Sequence, residues 1–173
     1  MSIAEAEEDT IPYDRILRDS TLIVPGIGAE GILINEDIED VFKRVGRMKY
    51  KVSKPRATGE LFKNVFNVNS RKKIYFETLY YHEENKYTAC VFHGKVVAVI
   101  GLNNNRVTLD SVNLRSGINS FIFNYGKRNL YLVKSDSNAV YIYPDRGTAV
   151  ADDGMNDSID FYIVFRGETS ETR

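Results

Sequence analysis

Asp152, Asp153, Asn156, Asp157 and Asp160 crowd one short stretch, and their side-chain oxygens are the ligands a hard cation such as Ca²⁺ takes. Asp152, Asp153 and Asp157 are the candidate ligands. The stretch lacks the acid, glycine and terminal glutamate order of an EF-hand, and Asp, Asn and Gly are equally what a polar hairpin turn requires. Gly26-Ile27-Gly28-Ala29-Glu30-Gly31 matches the G-x-G-x-x-G fingerprint behind an apolar run. That mechanism needs the loop to open directly into a helix whose N-terminus holds a pyrophosphate. Ile32-Leu33-Ile34 follows instead, so the glycines are read as serving a turn. Cys90 and His93 sit three apart on opposite faces of a strand end, and His82 falls in a turn. Neither pairing supplies a nucleophile with an adjacent base and an orienting third group. With one Cys and two His, a structural zinc site and an intramolecular disulfide both drop out. The chain reads as non-enzymatic, with no cofactor.

The richest binding chemistry lies between Ser53 and Lys73, where Lys54, Arg56, Lys63, Arg71, Lys72 and Lys73 interleave with Phe62 and Phe66. Cations alternating with aromatics grip phosphates and stack bases, or dock an acidic protein face. Leu61, Phe62, Val65 and Phe66 can alternatively pack a short helix onto a sheet. The stretch belongs to a wider asymmetry. Residues 1–42 hold 11 acidic and 2 basic side chains, whereas residues 43–73 hold 11 basic ones against Glu60 alone. Such a split marks an anionic partner, or an acidic head lying against a basic flank of the same molecule. The total is only -1, so no global field argues for nucleic acid or membrane.

The elements that must position these groups come as a repeated pattern. Ile38, Val41, Phe42, Val45 and Gly46 recur, 80 residues on, as Ile118, Phe121, Ile122, Tyr125 and Gly126. Apolar residues at i, i+3, i+4 and i+7 form one stripe of a helix, and the glycine suits its C-terminus. Asn35 is the expected N-cap of the first helix, with acids in its first turns. Strands are expected at Ile74–Tyr81, Tyr87–Phe92 and Val96–Leu102 in the first unit. In the second they fall at Val107–Leu114, Leu130–Val133, Ala139–Tyr143, Thr148–Ala151 and Ile159–Phe165. The predicted fold is α+β: two tandem repeats, each with one helix on an antiparallel meander, sharing one core. The organisation is an acidic flexible N-terminus (1–20), repeat 1 (21–105) with a basic insertion (53–73), repeat 2 (106–166) and a loose tail (167–173).

Ile-x-x-Val-Phe-x-x-Val-Gly at 38–46, Tyr80-Tyr81 ahead of a turn, and Gly94-Lys95-Val96-Val97-Ala98-Val99-Ile100 together resemble the repeat of the β-lactamase-inhibitor-protein-like fold. Small bacterial envelope lipoproteins of the SmpA/OmlA type share that fold. The resemblance implies a protein that binds other proteins, as an inhibitor or an envelope assembly factor, without catalytic residues. This chain departs from the pattern in carrying one Cys rather than two per repeat, and in having no lipobox. Its longest apolar run, Val96–Ile100, is too short to span a bilayer. The location expected is cytoplasmic as written, or periplasmic and outer-membrane-anchored if a leader was removed. The function expected is a protein-binding module, monomeric or weakly homodimeric. Small-molecule or metal-ion binding is the first alternative, and anionic-surface or nucleic-acid binding through the insertion is the second.

Overall fold

Tyr87, Ala89 and Val91 point to one side of a strand while Cys90 points to the other, and all four are buried. A strand buried on both faces has no polar side to show, so it reads as a continuous apolar run rather than an alternation. The computed structural model describes residues 13–52, 59–134, 139–155 and 158–167, with backbone alone at 50–52 and 66. Its centre is one eight-stranded antiparallel sheet. The strands are β1 (Lys49–Val52), β2 (Thr78–His82), β3 (Tyr87–Phe92), β4 (Lys95–Gly101), β5 (Tyr131–Lys134), β6 (Ala139–Tyr143), β7 (Thr148–Asp152) and β8 (Phe161–Phe165). They lie in the order β5-β6-β7-β8-β4-β3-β2-β1. Two four-stranded meanders thus meet at their last strands, with Val164 opposite Val99 and Ile163 opposite Ile100.

Two helices, α1 (Ile38–Val45) and α3 (Ile118–Tyr125), lie on one face of this sheet. Each ends at a glycine, Gly46 (φ 85) and Gly126 (φ 79), whose amide closes the last turn. Ile38, Val41, Phe121 and Tyr125 pack there with Tyr87, Ala89, Val91, Val150, Tyr162 and Val164. A third helix, α2 (Leu61–Phe66), belongs to the opposite face. It brings Leu61 and Phe62, followed by Val68, Ile74 and Phe76, over Cys90, Ala98, Val140, Ile142, Ala149, Ile163 and Phe165. Each Val, Leu, Ile or Phe side chain among them contributes roughly 1.5–3 kcal/mol when fully buried. The stretch read as a binding insertion is therefore first a cover for half of the core.

Several local expectations give way to tertiary contacts. Asn35 does not cap α1; it sits in a turn at φ 73, and Asp37 takes the cap position without a side-chain bond. The helix start is held instead by the β3–β4 turn, through Ile38 N–H to the Gly94 carbonyl (2.9 Å) and a Lys95–Asp37 ion pair (3.0 Å). The run expected as a strand at Ile74–Tyr81 splits into Tyr75–Phe76 and β2. Of Val107–Leu114 only Val107–Thr108 is strand, paired parallel with Leu22–Ile23. The Thr108 hydroxyl then donates to Asp110 and accepts from the Val112 amide, which turns the chain away.

The glycine motif also has a definite role. Gly28–Ala29 pairs with Ile32–Leu33 through a two-residue turn in which Glu30 (φ 56) and Gly31 (φ 74) are both left-handed. That is the hairpin geometry that matches strand twist, and it leads into a strand, not a phosphate-binding helix. The turn sends the Glu30 carboxylate into the interior, where it accepts two bonds from Arg106, from Nε and Nη2, each of 2.9 Å. The Tyr162 hydroxyl donates to the same carboxylate. Room for that phenol comes from Gly101, where a Cβ would lie 2.2 Å from the Tyr162 ring. Burial lowers the proton affinity of the Arg106 guanidinium, but the bond and charge of Glu30 outweigh it and hold the group above its usual range. The Tyr162 phenol is pushed well above its ordinary value by burial, and the Glu30 charge adds to the effect.

Candidate functional site

A candidate surface has to be assembled from whatever the insertion leaves outside the core. Its frame is a short antiparallel pair, Gly59–Glu60 with Tyr75–Phe76. Gly59 has to lack a side chain there, since a Cβ would meet the Phe76 ring at 2.9 Å. Between the two strands α2 makes under two turns and stops at Asn67, a left-handed residue (φ 54) whose amide bonds the Phe62 carbonyl. The Asn64 side-chain amide donates to the Glu60 carbonyl (2.9 Å) and ties the helix to its frame.

This frame sorts the eight residues that the sequence nominates for binding. Phe62 is 2% exposed and meets Phe165 edge-to-face at 5.8 Å, so it is core and cannot stack on a partner. That corrects its place among the binding residues: the apolar demand of the uncovered sheet face outcompetes display. Lys54, Arg56 and the Phe66 side chain lie outside the described residues. Lys63 and Arg71 are exposed, with the Arg71 guanidinium 5.6 Å from the Tyr131 ring centroid. Lys72 is half-buried with its ammonium 5.8 Å from the Phe165 ring centroid. Lys73 bridges to Glu60 at 3.1 Å on the surface, a contact worth about 0–1 kcal/mol.

Between the returning arm of the insertion and the start of β4 lies a slot of about 290 Å³. Ile34, Ile74, Phe92, Val96 and Val97 line it, together with Lys72, Lys73 and Arg166. Arg166 was not a sequence candidate. It follows β8 directly, and only the pairing of β8 with β4 brings it to the lysines. No local signal in the chain announces that meeting.

Of the acidic cluster, Asp157 lies outside the described residues, while Asp152, Asp153 and Asp160 hold carboxylate oxygens within 4.8 Å of one another. Their immediate work is local. The amides of Asp153, Gly154 and Met155 donate to Asp160 (2.6 Å), Asp152 (2.8 Å) and Asp153 (2.8 Å) respectively. Partial burial raises the Asp160 pKa, against the bond from the Asp153 amide, which lowers it.

The residues with nucleophilic or basic chemistry stay apart. Cys90 is fully buried under the insertion, and burial drives its thiol pKa far up, so little thiolate forms near neutrality. His82 accepts the Asn85 amide at Nδ1 and stacks on Tyr87 at 4.9 Å, and His93 lies 4.0 Å from Glu77 on the surface. No protein-family model, curated protein or solved structure matches the chain.

Proposed function

We propose that this protein is a non-catalytic interaction module that takes an acidic, apolar-anchored segment of another protein into the slot between the insertion and β4. The observation that carries the reading is a slot whose lining pairs apolar side chains with the cations Lys72, Lys73 and Arg166. An apolar side chain of the partner fills the slot while neighbouring carboxylates meet the cations, which steer the encounter and set its orientation. We also read the two helix-plus-meander halves as copies of one unit, in keeping with the resemblance to the β-lactamase-inhibitor-protein-like fold, whose members bind proteins. The inert setting of Cys90 and the separation of the two histidines support a binding rather than a catalytic role.

The test is fluorescence anisotropy with labelled peptides that pair Leu or Phe anchors with Glu runs. Lys72→Glu and Arg166→Glu together are expected to weaken capture about tenfold or more, with the wild-type affinity falling as salt rises. Equal affinities for wild type and variant would discard the slot as the docking site.

A further inference from the structure

A second cleft, lined by none of the residues of the peptide slot, opens where α3 ends. Gly126 terminates the helix, and the chain then presents Arg128 and Asn129 opposite the β6–β7 turn, which carries Asp145 and Arg146. With Tyr125 and Tyr143 these residues enclose about 470 Å³. A neighbouring hollow of about 420 Å³ shares Tyr125, Asp145 and Arg146, and adds Val24, Pro25, Leu109 and Asp110. Together the two have the size of a small-ligand site, polar at one end and apolar at the other.

The polar end is short of acceptors. Among the described residues neither Arg128 nor Arg146 makes an ion pair. The guanidinium of Arg146 is held over the Tyr125 ring, 4.4 Å from its centroid, so its charge is positioned before anything binds. The two carboxylates present are already in use. Asp145 accepts from Asn129, and Asp110 accepts from the Thr108 hydroxyl (2.6 Å) and the Tyr125 hydroxyl (3.3 Å). Tyr143 is 2% exposed, and its hydroxyl is buried without a hydrogen-bond partner among the described residues. An orphaned buried hydroxyl is costly, and Tyr143 is one of the residues that line the cleft, together with Arg128 and Arg146.

We propose that this cleft binds a small organic acid, with its carboxylate or phosphate monoester against Arg128, Arg146 and the Tyr143 hydroxyl, and its apolar body against Val24, Pro25 and Leu109. Two guanidiniums and a phenol match a planar or tetrahedral oxyanion, because each nitrogen and the hydroxyl can donate to a separate oxygen. Asp145 limits the net positive charge, so a compact anion is favoured over a polyanion. The site is independent of the peptide slot, and failure of either leaves the other standing.

The test is a melting-temperature and calorimetric titration of the full chain with phenyl phosphate, benzoate, inorganic phosphate and, as the cationic control, benzylamine. Phenyl phosphate or benzoate is expected to raise the melting temperature in a saturable way, and benzylamine is not. Whichever of the two acids shifts it further identifies the headgroup as phosphate or carboxylate. Inorganic phosphate acting as strongly as phenyl phosphate would overturn the role of the apolar end. Arg128→Gln with Arg146→Gln should melt like wild type alone and lose the ligand response. Tyr143→Phe should bind several-fold more weakly while melting no lower without ligand, and that variant alone suffices if the double substitution disturbs folding. No saturable shift with any of the acids, or an equal shift in wild type and variants, would overturn the proposal.

Discussion

Glu30, Arg106 and Tyr162 meet across 76 and 132 residues of chain, and the bonds that join the three are buried. A buried pair carries a large desolvation cost, and removing one member leaves the other charge with nothing to offset that cost. Glu30→Gln is therefore expected to destabilise by about 3–5 kcal/mol in urea unfolding, whereas Glu30→Leu with Arg106→Met should cost much less. Tyr87 offers the opposite case. Its hydroxyl is buried without a partner among the described residues, so Tyr87→Phe should raise the unfolding free energy by about 1 kcal/mol. None of this was legible in sequence. Glu30 appears there as the variable position of a glycine motif and Arg106 as one cation after an Asn run. Only the left-handed turn at Glu30 and Gly31 directs the carboxylate inward.

The elements were more legible, for a physical reason. Tyr87–Phe92 and Ala139–Tyr143 are strands at the expected bounds because turn residues flank each β-branched and aromatic run. Both glycine-stopped helices are present for the same kind of local reason, an apolar stripe with a C-terminal glycine. Local pattern could not reveal what covers the second sheet face, because a helix of six residues bearing Leu61 and Phe62 looks the same whether it packs or is displayed. Its packing sets a prediction: Phe62→Ala should cost about 3–5 kcal/mol, and Lys63→Ala less than about 0.5 kcal/mol, by urea denaturation. For the candidate site, Lys72 and Lys73 were visible as part of a charge run. Arg166 was not, since strand pairing alone makes it their neighbour.

At the scale of the whole molecule, Cys90, Tyr87, Tyr125, Tyr143 and Tyr162 all have pKa values raised chiefly by burial, Tyr125 to about 12. In the unfolded chain these groups ionise in their ordinary range, so above about pH 9 the unfolded state holds fewer protons than the folded one. Their contribution is complete below that pH and is lost as pH rises toward the folded values. Each group ionised only in the unfolded state removes about 1.4 kcal/mol per pH unit. Urea midpoints measured across pH 8 to 11 should thus be level at first and then fall steeply. The order of strands carries a further consequence, for biosynthesis. β8 pairs with both β7 and β4 in the middle of the sheet, although it is the last of the eight in chain order. A nascent polypeptide leaving the ribosome can form the β1–β4 meander early, but it must hold the inner rim of β4 open until Phe161–Phe165 has emerged. During translation that bare rim is the place for a chaperone to hold, and a stop codon just ahead of Phe161 would leave it permanently unpaired.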